Sequence, residues 1–112
     1  METKVTGSDG MQVAAISGRL DAGTLPEFLA ARESWPVIPT VLDLTGLEYM
    51  SSAALRAFLQ LKRDFGRQGV PVVIAGSNGF VTKILQVSGF EQIFFLFPTV
   101  EDAAKAISCG GA

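Results

Sequence analysis

Val41-Leu42-Asp43-Leu44-Thr45-Gly46-Leu47-Glu48-Tyr49-Met50-Ser51-Ser52-Ala53-Ala54-Leu55 is the stretch that decides how this chain folds. Thr40 to Leu44 is apolar with little alternation, the pattern of a strand covered on both faces. The next residues read as a short loop, and Ser51-Ser52 then opens a helix. From about Ser52 to Gln68, Leu55, Phe58, Leu59, Phe65 and the stem of Lys62 recur at helical spacing. Arg56, Gln60, Arg63 and Arg67 form the opposite face, and Gly69 ends the helix.

Outward from this run, strands and helices alternate. Ser8-Asp9-Gly10 is a hairpin turn, with Gly10 at positive φ. It joins a strand near Lys4 to one over Met11–Ser17. Gly18 to Thr24 reads as a loop. Thr24 is then expected to cap a helix running to about Arg32, with Pro26 in its first turn and Glu27 three residues after the cap. Pro36 and Pro39 forbid helix between that element and the central strand. Val70–Ala75 is a further buried strand, with Pro71 at its start. Gly76–Gly79 is a turn, Phe80–Val87 a helix closed by Ser88-Gly89, and Ile93–Phe97 a strand. Thr99 and Asp102 fit the cap of a last helix, which fades at Ser108-Cys109-Gly110-Gly111. This order predicts an α/β domain: a mostly parallel, five-stranded mixed sheet, an N-terminal antiparallel hairpin and four helices. No linker or repeat interrupts it, so residues 1–112 read as one domain with a short flexible tail over about 108–112.

Composition narrows the chemistry. Of the 112 residues, 48% are hydrophobic, enough for a core without staples, and the net charge is −2. Near-neutrality argues against direct nucleic-acid binding, which rewards a basic stripe. There is no histidine, which removes the commonest general base and metal ligand. A single cysteine, Cys109, makes neither an internal disulfide nor a cysteine metal cluster. No phosphate-binding glycine loop or dinucleotide fingerprint occurs. Catalytic residues, a metal and a cofactor are therefore not expected. No segment is long enough to span a bilayer and the N-terminus lacks a signal core, so a cytoplasmic protein without membrane insertion is expected. Asp21 and Asp43 follow or end strands, where active sites often lie, but a turn former at 21 and a loop-ordering acceptor at 43 are the favoured readings of aspartate there.

Ser51 and Ser52 carry the remaining chemistry. One serine caps the helix while its neighbour faces solvent. Position 52 shares a helical face with Arg56, one turn on. A phosphate at Ser52 would bring about −1.5 to −2 charges at neutral pH, and the helix dipole and free amides there would accept it. A partner on that surface would meet new charge and bulk, while the fold would survive. Met50 fits either a hydrophobic staple under the helix start or a flexible contact for a partner. Leu47 and Tyr49 fit core or surface. Arg56, Arg63 and Arg67 form a solvated face or a docking stripe for an acidic partner.

The run Asp43 to Arg56 resembles the signature of STAS domains, and especially that of bacterial anti-sigma factor antagonists. Gly18-Arg19-Leu20-Asp21 followed by Thr24 is similar to their second landmark, and Ser88-Gly89-Phe90 to the segment before their last strand. The resemblance covers nearly the whole chain. It implies that a serine-kinase anti-sigma factor phosphorylates Ser52, that Ser51 is the cap, and that a serine phosphatase reverses the modification. The unmodified domain would sequester the kinase and free a sigma factor. The implied partner-binding residues are Asp21, Thr24, Asp43, Met50, Ser51, Ser52, Ala53, Ala54 and Arg56, with the Asp21 and Asp43 loops beside the phosphate acceptor. Two positions depart from the family pattern: Ser51 stands where many members have aspartate, and Ala54 where most have glycine. A glycine there would let a partner's backbone approach closely. The alternative role is a STAS accessory subunit without a phosphoswitch, serving a membrane lipid transporter or a signalling scaffold.

Overall fold

The second strand organises the sheet in the computed structural model, which describes residues 1–108. β1 (Glu2–Ser8) and β2 (Met11–Leu20) form the expected antiparallel hairpin. Its turn places Asp9 at φ 54° and Gly10 at φ 78°, both in the left-handed region that a two-residue hairpin turn needs. β2 is ten residues long and outlasts its first partner. Residues 12–15 pair in parallel with β3 (Thr40–Asp43). Farther along, Gly18 to Leu20 pair in parallel with β4 (Leu47–Met50), after a register shift between Gly18 and Arg19. β3 continues the sheet to β5 (Val72–Ala75), and β5 to the two-residue β6 (Leu96–Phe97).

The sheet is thus mixed and mostly parallel, with the hairpin at one edge and the order β1-β2-β3-β5-β6. It has six strands rather than five, because Leu47–Met50 is a strand and not a loop. Four residues with an exposed glutamate carry little strand signal by themselves. Pairing with the overhanging end of β2 supplies the missing partner. The same pairing extends β2 to Leu20, past the expected end at Ser17. The last strand is shorter than expected: of Ile93–Phe97 only Leu96 and Phe97 pair in the sheet, after a 3-10 turn over Phe90–Gln92. Four helices cover the sheet: α1 (Leu25–Glu33), α2 (Ser52–Gly66), α3 (Gly79–Val87) and α4 (Val100–Ser108). From residue 109 on, the expected tail, with Cys109, lies outside the described residues.

Strand alternation sorts the core into two layers. Leu42 and Ile74 face α1, α2 and α3, in a cluster with Leu20, Phe28, Phe58, Leu61 and Leu85. Val41 and Val73 face the other way and pack with Ala103 of α4. Phe28 is the one fully buried side chain of α1. It meets Trp35 edge-on at 5.8 Å and Phe58 of α2 at 5.4 Å between ring centroids. Such pairs contribute about 0.5–1.5 kcal/mol each beyond area burial. Buried Gln12 ties the proline segment to the sheet, donating from Nε2 to the Pro36 carbonyl (2.9 Å) and the Thr40 hydroxyl (3.0 Å).

An ion-pair cluster ties α1 to α2. Asp64 accepts from Arg32 at 2.9 Å, from Arg67 at 3.2 Å and from Gln60 at 2.8 Å. The hydrogen bond from Arg32, then that from Gln60, holds the Asp64 carboxyl below its ordinary pKa against a smaller opposing effect of burial. A depressed carboxylate stabilises the fold above its unfolded pKa of about 3.9, and that contribution disappears as pH falls through the folded value. Asp64→Asn should therefore melt below wild type at pH 7, and the gap should narrow as pH drops from 4 toward 2. Thermal unfolding followed by circular dichroism across that range checks this.

Candidate functional site

The start of α2 is built from three hydrogen bonds. The Ser51 amide donates to the Leu20 carbonyl at the end of β2 (2.9 Å). The Ser51 hydroxyl accepts from the Ala54 amide (3.3 Å), and its carbonyl accepts from the Leu55 amide (3.1 Å). Ser51 is extended, with φ −89° and ψ 173°, the conformation of an N-cap. Ser52 is the first helical residue, is exposed, and its hydroxyl makes no hydrogen bond among the described residues. Arg56 is exposed one turn on. Ala53 is half-buried.

The loop after β2 is ordered by the side chains of Asp21 and Thr24 together, and Thr24 does not cap the helix with its side chain. Asp21 Oδ1 accepts from the amides of Gly23 (3.0 Å) and Thr24 (3.1 Å). Thr24 stands at the cap position with φ −98° and ψ −12°, and its side chain makes no capping bond. Its hydroxyl instead donates to the Arg19 carbonyl (2.9 Å) and accepts from the Asp21 amide (3.0 Å). In place of the expected capping by Thr24 there is an Asx turn at Asp21, three residues upstream.

Three expected contact residues are placed elsewhere. Met50 is 1% exposed and Ala54 is fully buried, both in the main core. Met50 is therefore packing under the helix start, not a contact for a partner. The Ala54 methyl points inward, so it does not narrow any partner's approach. Asp43 is also displaced from the expected patch. It lies opposite Ala15 on β2, whereas Met50 lies opposite Leu20. Five residues of strand separate those levels by about 16 Å. Asp43 instead orders its own loop, accepting from the amide (3.0 Å) and hydroxyl (2.6 Å) of Thr45. Asp21 does reach the site, through the Leu20–Ser51 bond beside it.

Two features escaped sequence reasoning. The first is a groove of about 370 Å³ between the start of α2 and α3, lined by Ser52, Leu55, Phe80, Lys83, Ile84, Val87 and Ser88. Phe80 is 56% and Val87 80% exposed. The spacing of the α3 residues was visible, but an apolar stripe on a helix ordinarily signals core. The second is a surface ladder leading to that groove. The Arg19 guanidinium lies 4.5 Å above the Tyr49 ring, and Tyr49 stacks on Phe80 at 6.0 Å. α3 is held in place by Asn78, whose Oδ1 accepts from the Val81 amide (3.0 Å) while Nδ2 donates to the Leu47 carbonyl of β4.

Among the described residues no cluster of three or more metal-ligating side chains occurs, and no helix is long and apolar enough to cross a membrane. Residues 2–103 match the STAS domain family. A STAS-domain containing protein of Pseudomonas aeruginosa is 34% identical over 95 residues, covering 82% of this chain and 94% of that protein. BtrV of Bordetella bronchiseptica, provisionally named an anti-sigma factor antagonist, is 31% identical over 101 residues, covering 88% and 87%. An anti-sigma factor antagonist of Mycobacterium paratuberculosis superposes with a TM-score of 0.84 at 24% identity, covering 96% of this chain and 93% of that one. The phosphorylated form of the Bacillus cell fate determinant SpoIIAA superposes at 0.71 with 15% identity, covering 95% and 99%.

The Asp43 loop offers a test of this local architecture. Gly76 has φ +71°, and a Cβ there would lie 2.3 Å from the Thr45 hydroxyl oxygen. Gly76→Ala should cost about 1–3 kcal/mol in urea denaturation, from backbone strain and the clash together. Adding Thr45→Ala should recover part of that loss, because it removes the atom in the way.

Proposed function

The chain belongs to the STAS domain family, and we propose that it acts as an anti-sigma factor antagonist controlled by phosphorylation of Ser52. In its unmodified state it binds a serine-kinase anti-sigma factor through the start of α2, and so frees a sigma factor. The kinase then transfers phosphate to Ser52 and the complex dissociates. A serine phosphatase restores the binding form. The protein itself catalyses nothing; its part is to present one hydroxyl and one surface.

The observation that carries this reading is the division of labour at Ser51 and Ser52. Ser51 spends its side chain on the cap. Ser52 is exposed, unbonded and at the positive end of a 15-residue helix. A phosphate there gains the helix dipole without displacing a structural hydrogen bond, so modification changes the surface and not the fold. The adjoining groove supplies apolar area for a partner, and the new charge would fall at its rim. The names of BtrV and of the Mycobacterium protein, and the phosphorylated state of SpoIIAA, support the same reading.

The test uses a serine-kinase anti-sigma factor from the same organism. Incubated with that kinase and ATP, the wild-type protein should gain one phosphate, mapped by mass spectrometry to Ser52, and Ser52→Ala should gain none. Ser52→Ala should capture the kinase as wild type does, and Ser52→Asp about tenfold or more weakly. Equal capture by Ser52→Ala and Ser52→Asp, with no phosphate on wild type, would instead indicate the accessory role without a switch.

A further inference from the structure

α3 presents two stripes. Val81 and Leu85 are buried against the core. Phe80, Lys83, Ile84 and Val87 recur at i, i+3, i+4 and i+7 on a neighbouring face and line the groove opposite Ser52 and Leu55 of α2. Lys83 is the one charged residue in that lining, and no carboxylate faces it there. It makes no ion pair among the described residues. Ser52, at the opposite wall, is likewise without a hydrogen-bond partner for its side chain. A lone cation and a free hydroxyl thus share a cleft whose other walls are almost wholly apolar.

We propose that Lys83 is the cation that receives the Ser52 phosphate, bridging the start of α2 to α3 across the groove. This rests on Ser52 being the phosphate acceptor, as proposed above. Lysine suits the task. Its ammonium is a compact charge with three donors on a flexible four-carbon stem, so it can turn toward an anion without any backbone movement. The phosphate offers three acceptor oxygens and nearly two charges. Both groups are exposed at the rim of the groove, so the pair would be a solvated one that weakens as salt is added. Arg56 adds positive charge from the α2 side, but Lys83 alone comes from the opposite wall. The pairing would draw a salt bridge over the apolar floor of the groove. Phosphorylation would then act twice: it places charge on the surface and it covers the apolar area that a partner uses.

The test needs no kinase, because phosphoserine is installed at position 52 by genetic encoding. A failure of any kinase to modify Ser52 therefore leaves this test intact. The second ionisation of the phosphate is followed by phosphorus NMR as a function of pH. A nearby ammonium favours the dianion, so Lys83→Gln should raise the measured phosphate pKa by about half a unit, while Lys83→Arg should leave it near the wild-type value. Arg63→Gln, on the exposed face of α2 two turns beyond Arg56, should change it by much less. Lys83 is exposed, so these variants should fold as wild type does, and circular dichroism checks that. Identical titrations of wild type and Lys83→Gln would overturn the proposal. So would an equal shift in Arg63→Gln, which would mark a diffuse effect of net charge.

Discussion

The hydrogen bond from the Ser51 amide to the Leu20 carbonyl, 2.9 Å long, joins the end of the longest strand to the start of the longest helix. Everything at the candidate site is referred to that junction. β2 outlasts β3, and its overhang recruits Leu47–Met50 as an extra parallel strand. β4 then delivers the chain to Ser51 in extended conformation, which is what an N-cap requires. The helix that follows buries Ala54, Leu55, Phe58, Leu61 and Phe65 against the sheet. Once that face is fixed, Ser52 and Arg56 have no choice but to face solvent. The site is exposed because the core beneath it is satisfied.

The arrangement separates structural from chemical duties at adjacent positions. A cap serine modified by phosphate would lose the hydroxyl that accepts the Ala54 amide, and the helix start would have to reorganise. Moving the modifiable hydroxyl one residue onward avoids this. The same economy holds at Asp21 and Asp43, whose carboxylates are both committed to backbone amides of their own loops. The Asp21 loop is an ordered border of the site, and the Asp43 loop an ordered turn farther down the sheet. The apolar groove and the Arg19–Tyr49–Phe80 ladder then provide what these loops lack, an area on which another protein can gain hydrophobic contact.

Much of this was legible in the residues, because hydrophobic period and punctuation agree along most of the chain. The α/β plan with its mostly parallel sheet, the hairpin turn at Asp9-Gly10, the cap at Thr99 and the serine-started helix all follow from local rules. What was not legible depends on tertiary pairing. β4 needs the overhang of β2 before four residues with one exposed glutamate become a strand. Asp21 and Thr24 are both good cap and turn formers, and only the folded loop shows that Thr24 turns its hydroxyl back to Arg19 and Asp21 instead of capping the helix. Ala54 was within reach: positions 54, 58, 61 and 65 form a buried stripe at helical spacing, and extending the stripe back by one turn places its methyl inside. The groove was not, since an apolar stripe on α3 gives the same pattern whether or not a neighbour covers it.

The division of labour between the two serines is tested most directly by urea denaturation of Ser51→Ala and Ser52→Ala, measured side by side. Loss of the cap should make Ser51→Ala less stable than wild type by about 1 kcal/mol. Ser52→Ala should stay within about 0.5 kcal/mol of wild type. A large loss in Ser52→Ala, with Ser51→Ala unaffected, would assign the cap to Ser52 and contradict its role as the free hydroxyl at the head of α2.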